Sequence, residues 1–218
     1  MKNFLIFSII FAGFACTKAT QKQAKDLENQ RQAISYEGIA DRSFSELFTE
    51  IKPKELVESP ITLASRNNIV ITAGNVTDYN SMVAGDGGVG VLMGKAVTFC
   101  GLRGNRYTLE VLLKDSIYTF SVFDERFRAD FMKFGEKSGR DSQKMKETAL
   151  TAVSTPSGLM TFKEARLVIE CQLAQTHTIN PNELYATKNK QFFVDAQKEV
   201  GSWHKIVFGD ITHVWVRK

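Results

Sequence analysis

Cysteine and histidine are scarce in this chain, three of each among 218 residues. Cys16, Cys100 and Cys171 stand far apart in sequence, and none sits in a spacing that holds a metal. His177, His204 and His213 are likewise too dispersed for a recognisable metal motif, and on strand-like runs an imidazole is expected to be structural. Clustered positive charge is missing too. The formal net charge is only +4 and there is no Lys/Arg stripe, so a nucleic-acid partner is not expected. Neither Ser138 nor Ser154 lies in a nucleophile elbow. There is no internal repeat. The longest apolar run, residues 4–14, falls well short of the roughly 20 residues that a membrane-spanning helix needs.

That run, preceded by Lys2, has instead the length of the hydrophobic region of a secretory signal peptide. Gly13 and Ala15 then lead to Cys16, and GFAC resembles a lipobox. Residues 1–15 are therefore expected to be a signal peptide, with Cys16 lipidated and the mature chain membrane-anchored outside the cytoplasm, in the cell envelope. Plain secretion with an incidental cysteine is the alternative. Residues 16–40 are polar, with too few large apolar groups to fold alone, and read as a tether. One domain, 41–218, follows, and its two cysteines are expected to be buried free thiols rather than a disulfide.

Short β-type runs dominate that domain: ITLAS (61–65), NIVITAG (68–74), VGVLM (89–93), KAVTFCGL (95–102), IYTFSVF (117–123), TFKEARLVIECQLAQT (161–176), WHKIVFGD (203–210) and ITHVWVRK (211–218). Helical patterns appear at SFSELFTEI, with Phe44, Leu47, Phe48 and Ile51 on one face, and at NRYTLEVLLKD (105–115), where Asn105 is a capping candidate. DERFRADFMKFG (124–135), bounded by Asp124 and Gly135, and the polar DSQKMKETA (141–149) are the others, and TPSG (155–158) reads as a turn. The aromatic residues of the strand-like runs alternate at strand spacing and are expected in the core. Many short strands with inserted helices predict a mainly β barrel with helical decoration.

The stretch NSMVAGDGGVGVLMG (80–94) contains G-x-G-x-x-G at Gly85, Gly87 and Gly90. A dinucleotide fingerprint requires a helix straight after the glycines, because the helix N-terminus holds the pyrophosphate. Here VGVLMGKAVTFC follows, alternating and β-branched. A Rossmann site is excluded.

Taken together, NSMVAGDGGVGVLMGKAV, GLRGNRYTLEVLLKDSIYTFSVF, FGEKSGRDSQKMKETALTAVSTPSG, TFKEARLVIEC and HKIVFGDITHVWVRK resemble, in order, the flavin reductase-like family. The resemblance covers the chain from about residue 44 to its end. It implies an FMN-binding split β-barrel that holds the flavin non-covalently at a homodimer interface and passes electrons or hydride from NAD(P)H or another donor. No catalytic side chain is implied.

By the same resemblance, Asn80, Met82, Val83, Ala84 and Gly85 would face the flavin. Arg103, Asn105, Arg106 and Thr108 would handle its phosphate, with Lys137, Ser138 and Arg140 as a second basic segment. His204 matches a recurring family position near the ring. Arg and Lys suit a dianionic phosphate, and backbone donors suit the ring edge. Val83, Gly85 and Asp86 depart from the family's threonine, serine and aromatic residue, which removes two hydroxyls and adds a carboxylate. Those departures motivate a second reading, a catalytically silent split-barrel lipoprotein that binds another ligand or partner and has lost the cofactor.

Overall fold

The computed structural model describes residues 36–64, 69–140 and 144–218, and Tyr36–Lys218 forms one compact unit. The signal-peptide and lipidation expectations fall outside the described residues. Within the stretch expected to be tether, Tyr36 is already engaged. Its hydroxyl donates to Asp124 at 2.7 Å, and the Arg217 guanidinium lies over its ring.

Ten strands and five helices make up the described unit. They run α1 (Phe44–Leu47), β1 (Phe48–Ile51), α2 (Pro60–Ala64), β2 (Ile69–Gly74), β3 (Tyr79–Ala84), β4 (Asp86–Leu92), β5 (Lys95–Leu102), α3 (Tyr107–Asp115) and β6 (Ile117–Val122). Then come α4 (Arg128–Glu136), β7 (Ala152–Ser154), β8 (Met160–Phe162), β9 (Leu167–Thr178), α5 (Thr187–Val200) and β10 (Lys205–Arg217). The main sheet is antiparallel in the order β3-β2-β6-β9-β10-β5-β4, with β1 also on β10. β7 and β8 pair separately across the TPSG turn, where Gly158 takes φ +85°.

The glycine-rich stretch explains how the sheet closes. β3 and β4 lie at opposite ends of the strand order, yet only Gly85 separates them in sequence. A one-residue connection can span the two edges only if the sheet curls until they meet. Gly87 serves the same closure. A Cβ there would stand 2.7 Å from the Phe99 carbonyl oxygen, so only glycine lets the β4 backbone approach β5 this closely. β4 then turns into β5 at Met93 and Gly94, both at positive φ, as a tight two-residue hairpin requires.

Strand alternation builds two cores from one sheet. Ile69 and Ile71 face the barrel interior with Met82, Cys100, Leu109, Tyr118, Phe120 and Ile169, while Val70 faces outward. The outer face is covered by phenylalanines, among them Phe44, Phe48, Phe123, Phe131, Phe134 and Phe162. Both faces of β2 are buried, which is why its sequence reads as a continuous apolar run. The aromatic residues of IYTFSVF are core as expected, and Cys100 and Cys171 are buried free thiols.

Several elements differ from the sequence reading. Of ITLAS, residues 61–64 form a helical turn opening on Pro60, with the Leu63 amide bonded to the Ser59 carbonyl at 3.0 Å. SFSELFTEI is helical only to Leu47. Phe48–Ile51 is instead claimed by the backbone of β10, opposite Val214–Arg217. The two expected C-terminal strands are one thirteen-residue strand, and shifts at Phe208/Gly209 and Ile211/His213 absorb its bends against β9. Asn105 is not the cap of α3: Arg106 occupies the N-cap position, and its side chain makes no capping bond. The α4 segment starts as a 3-10 turn after Asp124, and its helix runs through Gly135 to Glu136. Of DSQKMKETA, Lys144–Lys146 forms a single 3-10 turn, and 141–143 lie outside the described residues. The helix α5 arises in a stretch for which the sequence suggested no element.

Candidate functional site

Two basic stretches about thirty residues apart in sequence meet beside the end of β3. The first is the turn Arg103–Arg106, closed by the Arg106 amide donating to the Arg103 carbonyl at 3.1 Å and leading into α3. The second is the loop Lys137–Arg140, which leaves the C-terminal end of α4. Arg140 joins them. Its guanidinium donates to the Asn105 carbonyl at 3.1 Å, bonds the Glu110 carboxylate and lies 5.4 Å from the Tyr107 ring centroid. The pocket between the stretches has a volume of about 180 Å³.

Its wall contains most of the expected side chains. Met82 supplies an apolar side, and Asn105, Arg106 and Thr108 come from the first stretch. Lys137, Ser138 and Arg140 come from the second. Asn80 stands behind this wall. It is buried, and its Nδ2 donates to Thr108 Oγ1 at 2.6 Å, which holds the first turn of α3 against β3. The remaining candidates lie elsewhere. Val83 faces the outer core, next to Gly135, whereas Ala84 is buried inside the barrel. Gly85 is exposed at the β3–β4 corner. Arg103 points toward α5, 3.9 Å from Glu199. Asp86 is exposed and does not line the pocket.

Tyr107, Gly139 and Lys144 line the pocket as well. The first two sit inside RYT and KSGR, and their neighbours were legible. A Cβ on Gly139 would come 2.1 Å from Asn80 Oδ1, so this glycine is what lets the loop close against β3. Lys144 carried no sequence signal, because only the 3-10 turn folding back under α4 brings it in. It is 4% exposed, and its ammonium donates to the Phe134 carbonyl at 2.8 Å.

Among the described residues the pocket is electropositive and short of counter-charge. Burial, and then the Arg106 guanidinium, pull the Lys144 amine down to about 8. Burial and the adjacent Arg103 lower Arg106 as well. Arg106 Nε is buried without a hydrogen-bond partner among the described residues, while its Nη1 reaches the Gly135 carbonyl only at 3.5 Å. Lys137 and Arg140 are matched by Glu147 and Glu110 on the outer side. α3 opens its uncapped N-terminus on the pocket through Tyr107 and Thr108, adding partial positive charge. Such an arrangement suits a small anion with several acceptor oxygens.

On the other side of the Arg103–Arg106 turn, His204 is buried against Phe192 and Phe193 of α5. Its Nδ1 has no partner among the described residues, and burial followed by Arg103 lowers its basicity. His177 packs on Phe208, and His213 bonds Glu50 at 2.7 Å.

A family model described as "Flavin reductase like domain" matches residues 69–218. Among solved structures the chain is similar to an FMN-binding domain of a flavin reductases-like enzyme from Shewanella baltica, at 12% identity and a TM-score of 0.55. That match covers 78% of this chain and 76% of the other. An FMN-binding protein from Thermus thermophilus with bound 1-cyclohex-2-enone matches at 18% identity and TM-score 0.52, covering 68% of each chain. Flavoredoxin from Methanosarcina acetivorans matches at 14% identity and TM-score 0.52, over 68% of this chain and 67% of that one. These structural likenesses speak for the fold, a split β-barrel. No curated protein matches the chain in sequence.

Proposed function

Because this chain belongs to the flavin reductase-like family, a family of FMN-binding split barrels, we propose that its cationic pocket holds the phosphate of non-covalently bound FMN. One observation carries the reading. Four cationic side chains converge on a single small cavity, and two of them, Arg106 and Lys144, have donors or charge that nothing in the described residues answers. A phosphate dianion would satisfy both. The residues present therefore fit the group. Arg106, Lys137 and Arg140 would bind it by charge-assisted hydrogen bonds, Ser138 and Asn105 would add polar contacts, and Asn80 would position Thr108. Met82 would give the ribityl and ring side an apolar surface. When bound, the flavin supplies the redox chemistry, taking electrons or hydride from a donor and passing them on. The protein's share is binding, orientation and exclusion of water.

NAD(P)H as donor, a homodimer completing the ring site, and export with a lipid anchor on Cys16 are part of the same proposal. The dimer rests on the family resemblance, and a monomer by light scattering at micromolar concentration would remove it. The anchor rests on the run that ends in GFAC. Cys16→Ser should release the protein from membranes, and continued tight association would sink the idea.

The silent-barrel reading draws on one observation of its own: Glu110 and Glu147 already neutralise Arg140 and Lys137. Titration by flavin fluorescence quenching separates the two readings. FMN should bind at least about tenfold more tightly than riboflavin, since a charge-assisted bond contributes about 1.5–3 kcal/mol. Equal affinities would refute the phosphate site, and no quenching by either flavin would decide for the silent barrel.

A further inference from the structure

We propose that Lys144 is a phosphate ligand that takes up a proton when the flavin phosphate binds, so that the protein's preference for a phosphomonoester falls as the medium becomes alkaline. The inference rests on the phosphate assignment above and adds to it a residue and a linkage.

The geometry comes first. Lys144 is buried in the pocket wall on a 3-10 turn, and its ammonium has a backbone carbonyl, that of Phe134, as its hydrogen-bond partner at 2.8 Å. A buried cation normally has a carboxylate beside it, because removing it from water costs several kcal/mol. Charged groups around it come from two stretches. Arg106 approaches from the turn before α3, and Lys137 and Arg140 from the loop after α4. The nearby carboxylates are engaged with other partners, Glu110 with Arg140 and Glu147 with Lys137. Asp141 lies outside the described residues. Among the described residues the local field is therefore positive. Glu147 holds Lys137 as the ammonium, so Lys144 is the member of the set that can relieve the field by losing a proton. An arginine cannot do so at any ordinary pH.

A phosphate dianion reverses that balance. It supplies the missing counter-charge and an acceptor oxygen, and the amine is then held as the ammonium. A phosphomonoester has its second ionisation near pH 6, so above pH 7 the ligand no longer changes charge. Any pH dependence of the difference between FMN and riboflavin from pH 7 to 9 then belongs to the protein. With the amine of the free site near 8, its protonated fraction falls from about nine-tenths at pH 7 to about one-tenth at pH 9. The FMN-to-riboflavin affinity ratio should drop roughly tenfold across that interval.

The experiment titrates FMN and riboflavin into the full chain at pH 7, 8 and 9 by fluorescence quenching, using riboflavin to cancel changes in the ring. Four proteins are compared: wild type, Lys144→Met, Lys144→Arg and Asp141→Asn. Wild type and Asp141→Asn should show the tenfold fall. Lys144→Met should show a low, flat ratio, and Lys144→Arg a ratio near the wild-type pH 7 value that stays flat. A merely structural lysine would not produce that flat arginine profile. Should the Lys144 variants fail to fold, calorimetry of FMN binding to wild type at pH 8.5, in two buffers of different ionisation heat, reads the proton directly. Uptake of between half and one proton is expected. A pH-independent ratio in wild type, a profile that Lys144→Met leaves intact, a profile that Asp141→Asn abolishes, or zero uptake overturns the proposal. Equal binding of FMN and riboflavin at pH 7 would instead overturn the phosphate site itself.

Discussion

Adding one methyl group at Gly139 should weaken FMN binding with little loss of stability. The new Cβ would lie 2.1 Å from Asn80 Oδ1, 2.8 Å from Asn80 Cγ and 3.0 Å from Tyr107 Cδ1, so about an ångström of movement is required. Two groups could give way. Asn80 is buried, and moving it breaks its 2.6 Å bond to Thr108, leaving a buried amide unsatisfied at a cost of about 1–3 kcal/mol. The loop is the softer partner, since Lys137 and Arg140 are exposed and their ion pairs with Glu147 and Glu110 can follow the movement. The loop should therefore shift outward, taking Ser138 and Arg140 from the pocket. Losing one charge-assisted bond to phosphate weakens FMN by roughly ten- to a hundredfold and leaves riboflavin nearly unchanged. Thermal unfolding should fall by no more than about 4 °C, the shift expected for about 1 kcal/mol in a domain of this size. Quenching titrations and a melting curve on Gly139→Ala give both numbers. Unchanged FMN affinity would refute the reasoning, and a large thermal loss with affinity intact would show that Asn80, not the loop, yields.

Three further outcomes follow from the same packing. Gly209→Ala should destabilise the barrel by about 1–3 kcal/mol, because its Cβ would sit 2.3 Å from the Tyr118 hydroxyl and 2.9 Å from Cys171 Cβ. Tyr118→Phe in the same chain should recover part of that loss in denaturant melts despite forfeiting the 2.7 Å bond to Thr98, and a double variant weaker than the sum of both would contradict the contact. His204, whose basicity burial lowers, should make stability fall with acid: the unfolded chain takes up the proton first, so stability is full above about pH 6.5 and declines below it. His204→Gln should flatten that decline between pH 7 and 5, and an unchanged slope would assign it to other groups. Burial pushes the Cys171 thiol up to about 12 and Cys100 still higher, so denaturation should add two thiols to those that Ellman's reagent finds in the native chain. Rapid native reaction of either would contradict their burial.

How far the site could be read without coordinates differs residue by residue. RYT and KSGR were singled out by basic residues and family order, and residues of both line one pocket. Nothing in DSQKMKETA marked Lys144, because a lysine in a polar stretch normally faces water and only the chain's fold-back buries it. ITLAS read as a strand because five residues carry too little periodicity to separate one helical turn from a short β run. Likewise, Phe48 and Ile51 continue the helical spacing of Phe44 and Leu47, but backbone pairing with β10 overrides it.

What the sequence by itself determined is local and additive: strands where apolar residues alternate or run, a turn at TPSG, and the exclusion of a Rossmann turn by the strand pattern that runs through Gly90. It also determined the family, because ordered motifs survive where individual contacts do not. Only the tertiary structure decided that Gly85 joins the two ends of the sheet and that Arg140 bridges to Asn105. The same holds for the charge states of Arg106 and Lys144, which depend on mutual burial. These are properties of pairs distant in the chain. Their energies come from separation and desolvation, and neither exists until the barrel has closed.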